Sequence, residues 1–323
     1  MLEKILLPIA GELKEVEEDF ERRLGSRVPL VTEIAKHLVL SGGKRIRPAL
    51  MILSARLCGY RGKGYIPLAG AIELIHTATL LHDDVVDNAE MRRGNPTANI
   101  LWGNVASVLV GDFLLSRAFS MMVEAKDLRV LEVMAETTTL LAEGETFELT
   151  KTADLSLSEE EYLEMVAQKT ASLMSASARI GAILAKASKE QEEALATFGL
   201  KLGIAFQLVD DCLDYIGKEE ALGKKVGSDI KEGKVTLPLI WTLGRCSSEE
   251  KGFIRDTLLE VDPDLERIRG VVDLVHQYGG ISYTFKRAQE FVAEAKLCLS
   301  SFPDRPEKST LMELADYLLS RDS

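Results

Sequence analysis

Cysteine is scarce in this chain. Four residues among 323, Cys58, Cys212, Cys246 and Cys298, lie far apart and form no CxxC pair. That pattern suits a reducing compartment with incidental buried thiols better than a disulfide framework or a cysteine zinc site. A basic excess is also missing: the net charge is −12, which argues against general nucleic-acid binding. No run reaches the roughly 18 uncharged apolar residues of a membrane span. The N-terminus, Met1 to Pro8, soon gives way to Glu12, Glu15, Glu17, Glu18 and Asp19, unlike a secretory signal. The expectation is a cytoplasmic protein without a transmembrane segment. There is no HExxH, no Walker A loop and no Ser/His/Asp set readable from spacing.

Proline is absent between Pro96 and Pro238. Proline inside a helix costs about 3 kcal/mol, so this gap suits a series of long helices. Ile72, Leu74, Ile75, Thr79 and Leu80 recur at helical spacing, as do Leu173, Met174, Ile180, Ile183 and Leu184. Ser158 with Glu161 and Ser247 with Glu250 are candidate capping boxes. Polar joints such as Lys151 to Ser158 separate the helices, and no alternating strand pair stands out. Hydrophobic residues make up 46%, enough for a large core. The pattern predicts one all-α domain over 1–323.

What the chain does have is two aspartate clusters in apolar surroundings. His82-Asp83-Asp84-Val85-Val86-Asp87 and Gln207-Leu208-Val209-Asp210-Asp211-Cys212-Leu213-Asp214 each place carboxylates at i, i+1 and i+4. Positions four apart share a helix face, so Asp83 with Asp87 and Asp210 with Asp214 form pincers. Carboxylates held this close repel, and oxygen-only ligands favour a hard cation such as Mg2+. Basic residues stand nearby. Arg92-Arg93-Gly94 follows the first cluster; alone it is a solvated pair, beside the carboxylates a grip for phosphate. Ser41-Gly42-Gly43-Lys44-Arg45-Ile46-Arg47-Pro48 is either a plain basic helix start or a second phosphate grip. Gly217 to Gly233 interleaves glycines with Lys218, Lys224, Lys225 and Lys231, and reads as a flexible loop or a lid over phosphate. His76 lies two turns before Asp83 on nearly the same face, as either a core histidine or part of the site. His82 is a candidate partner behind the pincer, whereas His37 and His276 have no informative neighbours.

Together these residues resemble the trans-isoprenyl diphosphate synthases, the polyprenyl synthetase family. The matching pieces run in order from 42 to 229: Gly42-Gly43-Lys44-x-x-Arg47-Pro48, His76-x5-His82-Asp83-Asp84-x-x-Asp87-x4-Arg92-Arg93-Gly94, Gln168-Lys169-Thr170, Phe206-Gln207-x-x-Asp210-Asp211-x-x-Asp214 and Gly223-Lys224-x-x-Gly227-x-Asp229. The stretch from Ile75 to Gly94 is most similar to the long-chain, octaprenyl-type members. The resemblance implies a single helical bundle of the isoprenoid synthase type around a central hydrophobic cavity, and a homodimer. It implies Mg2+, three ions with substrate bound, ligated directly by Asp83, Asp87 and Asp210. Asp84, Asp211 and Asp214 then ligate or hold metal-bound water.

The same resemblance assigns Lys44, Arg47, His76 and Arg93 to isopentenyl diphosphate. It assigns Arg92, Lys169, Thr170, Gln207, Lys224 and Lys234 to the allylic diphosphate, with Lys169 and Lys224 also in the catalytic set. Lys225 stands where many relatives have proline, which leaves open whether Lys224 or Lys225 reaches the ligand. The implied reaction is repeated head-to-tail condensation giving a long all-trans polyprenyl diphosphate. An octaprenyl product for a respiratory quinone side chain leads, followed by shorter or other lengths, then a class I terpene cyclase or a non-catalytic prenyl-binding subunit. In this family bulky residues four and five positions before the first aspartate close the hydrocarbon tunnel. Here those positions hold Thr79 and Ala78, both small, which moves the floor deeper, toward Ile75, Ile72 and Phe119 or Met122. Transient membrane contact is expected at product release.

Overall fold

The computed structural model describes residues 1–40, 43–92, 94–216 and 227–320. The described helices are, in order, α1 (Leu2–Ile5), α2 (Ala10–Arg23), α3 (Pro29–Leu40), α4 (Ile46–Leu57), α5 (Tyr65–Val86), α6 (Ala98–Trp102), α7 (Asn104–Glu124), α8 (Leu128–Thr150), α9 (Glu159–Val166), α10 (Ser172–Leu184) and α11 (Lys189–Ile216). They continue as α12 (Ser228–Lys231), α13 (Leu237–Leu243), α14 (Ser248–Leu258), α15 (Leu265–Gln277), α16 (Gly280–Cys298) and α17 (Pro306–Leu319). The fold is all-α, as the proline gap and periodicity predict. One exception is a two-residue antiparallel ribbon pairing Met91 with Pro96 and Arg92 with Asn95. Strands this short leave no alternation for the sequence to display.

Contacts gather into two units. The first comprises Met1–Thr137, Leu173–Gly199 and Cys298–Leu314. Its α4 is buried on almost every side, because Ile46, Leu50, Met51, Ile52, Leu53 and Leu57 leave no polar face. α5 packs against α2, α4 and α7. At Gly111 on α7 a Cβ would fall 2.3 Å from His82 Nε2, so a larger residue there would have to displace that imidazole. α7 is long and apolar enough on length and hydropathy to cross a membrane, although it carries Asp112 and Arg117. Those two charges are why α7 contains no uncharged apolar run of membrane length.

The second unit comprises Thr138–Ser172, Leu200–Leu297 and Ala315–Ser323. Both predicted capping boxes form here, Ser158 with Glu161 opening α9 and Ser247 with Glu250 opening α14. In each, the serine hydroxyl accepts the third amide while the glutamate accepts the serine amide, so two otherwise unpaired donors are satisfied. Trp241 on α13 stacks on Tyr283 of α16 with ring centroids 3.6 Å apart. Between α9 and α10 the helix widens into one π turn, Ala167–Ala171.

Candidate active site

In the first unit, Asp83 and Asp87 sit one turn apart at the end of α5, both half-buried. Asp84, one residue on and so turned about 100° around the helix, is 0% exposed. Arg92 Nε donates to Asp84 Oδ1 at 2.7 Å, with Nη2 at the same distance. The short ribbon therefore folds back to place this arginine on the middle aspartate. His82 stands 3.3 Å from the Val108 carbonyl and 3.5 Å from Asp112, so it serves the α5–α7 packing rather than backing the pincer. His37 does have neighbours: its Nε2 is 2.9 Å from the Pro96 carbonyl, and its ring meets Trp102 edge-on.

Lys44 is exposed just before α4, and Arg47 is half-buried in its first turn. Arg45 between them has a left-handed backbone and turns away to Glu73 at 3.0 Å and Glu17 at 3.2 Å. That separates a structural arginine from the two flanking cations. His76 is half-buried on α5, and its carbonyl accepts the Thr79 hydroxyl at 2.9 Å. Ala78, Ile75, Ile72 and Met122 are buried, while Thr79 and Phe119 are half-buried. Arg93 lies outside the described residues.

The second unit assembles more of the predicted set. Thr170 on the π turn donates to Gln207 Oε1 at 3.0 Å, and Gln207 Nε2 donates to Asp211 Oδ1 at 2.8 Å. Asp211 Oδ2 accepts the hydroxyl of Tyr162, a fully buried residue of α9. Asp211 is 3% exposed, whereas Asp210 beside it is half-buried. Asp214 is also buried; its Oδ2 accepts the Asp229 amide at 3.1 Å and its carbonyl accepts the Gly227 amide, which ties α12 to α11. Lys169 Nζ contacts Glu145 at 2.8 Å and also Glu148. Lys234 pairs with Glu232 at 2.7 Å. Lys224 and Lys225 lie outside the described residues, as does the 217–226 part of the proposed lid.

Burial opposes the charge on Lys169, but Glu148 and Glu145 more than offset it, and its pKa lies above the ordinary lysine value. Burial, reinforced by the Asp229 carboxylate, pushes Asp211 well above the usual carboxylate range, against the bonds from Tyr162 and Gln207. Burial and then the charge of Asp211 raise Tyr162, which stays a protonated donor. Tyr162, Glu145 and Glu148 carry no recognisable spacing toward their partners. The tertiary fold alone brings them together, so sequence reasoning had no signal for them.

The family model for polyprenyl synthetase matches residues 28–275. The chain is 43% identical to octaprenyl diphosphate synthase of Escherichia coli K12 over 321 residues, 99% of each chain. The chain belongs to the polyprenyl synthetase family. Its structure resembles a polyprenyl synthase of Caulobacter crescentus complexed with calcium and isoprenyl diphosphate, with a TM-score of 0.97, 39% identity, and 100% and 98% of the two chains covered. A decaprenyl diphosphate synthase of Rhodobacter capsulatus matches with a TM-score of 0.94, 39% identity and 99% of each chain.

Among the described residues of this polyprenyl synthetase, no three His, Cys, Asp or Glu side chains form a ready metal site. The donor set still fits magnesium. That ion keeps its waters and binds through one or two carboxylates plus substrate phosphates, rather than through an all-protein cage. Asp83 and Asp87 in the first unit and Asp210 in the second are each half-buried.

Proposed function

We propose that this polyprenyl synthetase condenses isopentenyl diphosphate with an allylic diphosphate in repeated Mg2+-dependent head-to-tail steps, ending at octaprenyl diphosphate for a respiratory quinone side chain. The observation that carries this reading is on α5. Asp83 and Asp87 share one face, and the positions five and four before Asp83 hold Ala78, 2% exposed, and Thr79. A short product needs a bulky stop there. The similarity to an octaprenyl diphosphate synthase along 99% of the chain supports the length, and the similarity to a decaprenyl diphosphate synthase marks the nearest other length.

Asp83, Asp87 and Asp210 would hold magnesium, with three ions in the substrate complex, and Asp84, Asp211 and Asp214 brace the groups around them. Magnesium supplies Lewis-acid stabilisation of the charge gathering on diphosphate as the allylic carbon–oxygen bond breaks. Arg92, Lys169, Thr170, Gln207, Lys234 and Lys224 hold that diphosphate. Lys44, Arg47, His76 and Arg93 hold the diphosphate of isopentenyl diphosphate and aim its double bond at the allylic carbon. The new carbon–carbon bond leaves a cation that loses a proton to the departing diphosphate. No side-chain nucleophile is required.

The reading includes one domain over 1–323, supported by a family match that runs through segments of both units. It also includes a homodimer, supported by the exposed apolar stripe of Leu101, Val105 and Leu109 on α6 and α7. A cytoplasmic setting, with membrane contact only at release of the apolar product, accords with four free thiols. Supplying an allylic diphosphate with and without isopentenyl diphosphate tests the reaction type. Elongation requires both substrates. A cyclic hydrocarbon from the allylic substrate alone would mean a cyclase, and inactivity of the pure chain with both would mean a non-catalytic subunit.

A further inference from the structure

A hydrogen-bond chain crosses the second unit: Tyr162 to Asp211, Asp211 to Gln207, Gln207 to Thr170. Each link fixes the next. An amide can present either its oxygen or its nitrogen to a neighbour, and the two ends of Gln207 are set in opposite senses. Its NH2 donates to Asp211 at 2.8 Å, which leaves its carbonyl oxygen for the Thr170 hydroxyl at 3.0 Å. Asp211 makes that choice only while its own carboxylate is held, and the group holding it is the hydroxyl of Tyr162, 1% exposed on α9. Thr170 lies on the π turn beside Lys169. A π turn is a local widening often found where a helix serves a site.

We propose that Tyr162 is a positioning residue for the allylic diphosphate: through Asp211 it fixes the Gln207 amide, one N–H of which donates to Asp211 while the other is left for the diphosphate, and Thr170, whose hydroxyl proton goes to Gln207 Oε1, holds the amide from its other side. This rests on the assignment of Thr170 and Gln207 to that substrate. Tyr162 does not touch the ligand. Its removal leaves a buried carboxylate oxygen without its donor and frees Asp211 and Gln207 to rotate together.

The test is Tyr162→Phe, which keeps the ring and deletes one hydroxyl. With Mg2+ and an unreactive allylic thiodiphosphate, calorimetry should show the dissociation constant weakened on the order of tenfold. The allylic KM should rise in parallel, and the KM for isopentenyl diphosphate should not move. Tyr215→Phe is the structural control, since it deletes another buried hydroxyl of the same unit, 3.4 Å from Thr236. It should alter the thermal midpoint without altering allylic affinity. Tyr162→4-aminophenylalanine restores a donor at the same point, and should return the allylic constant to within about threefold of the wild type. Unchanged allylic affinity in the Phe variant, an equal loss in the Tyr215 control, an equal rise in both KM values, or no rescue by the amine would each overturn the proposal. Wild-type protein that does not elongate prenyl chains would instead overturn the functional reading beneath it.

Discussion

Glu145 and Glu148 hold Lys169 between them, so a diphosphate arriving at that lysine competes with two carboxylates. Removing one charge weakens the competitor and keeps the shape of the side chain. Glu148→Gln is therefore predicted to tighten allylic thiodiphosphate binding by about threefold, the order of a partly screened ion pair. Calorimetry against the wild type checks it, and weaker binding would mean that Glu148 aims the lysine rather than competing for it. Ala78 offers a second single-residue test. Ala78→Phe is predicted to shorten the product while turnover persists, with a stability loss of about 1–3 kcal/mol from overpacking a buried position. Chromatography of the products reads the length, and an unchanged length would sink the tunnel assignment. At this scale the sequence was informative wherever chemistry is local. The pincer of Asp83 and Asp87 follows from helical spacing, but spacing alone does not distinguish Asp84 and Asp211 from their neighbours, which in the sequence only the family resemblance sets apart. What separates them is burial against Arg92 and Tyr162, partners placed by the fold.

At the scale of elements, the π turn carrying Gln168, Lys169 and Thr170 depends on α8. A Cβ at Gly144 would lie 2.6 Å from the Lys169 amide nitrogen, closer than any real contact allows. Gly144→Ala must push the turn outward or force it back to ordinary helix. Either change moves Thr170 off Gln207, so the allylic KM is predicted to rise at least tenfold, with isopentenyl KM changing less; steady-state kinetics with each substrate varied decides it. Equal sensitivity of both constants would mean that the glycine serves general packing. The capping boxes of α9 and α14 were legible because a cap is encoded within four residues. The widened turn was not, because nothing in its own residues marks it and the glycine it packs against lies on another helix.

For the whole molecule, the all-α character was readable from absence: a long stretch without proline, and no strand alternation. The Met91–Pro96 ribbon escaped because two paired residues show no period. The exposed side of α7 raises the question of assembly. Val105 is 75% exposed and Leu109 62%, on a helix whose other side is packed on α5. If a second copy covers them, Val105→Glu with Leu109→Glu should place charges inside that interface. Sedimentation at micromolar concentration is predicted to show a dimer for the wild type and a monomer for the double variant. A variant that stays dimeric would locate the interface elsewhere.

The proposed function depends most on this chain extending a prenyl diphosphate past the wall-free positions of α5 just before Asp83 to octaprenyl length. Purified wild-type protein, Mg2+, a farnesyl diphosphate primer and radiolabelled isopentenyl diphosphate test it directly, with the products dephosphorylated and sized against polyprenol standards. The account predicts label accumulating in octaprenol. Label that stops at geranylgeraniol, or that never enters a prenyl chain, would contradict it.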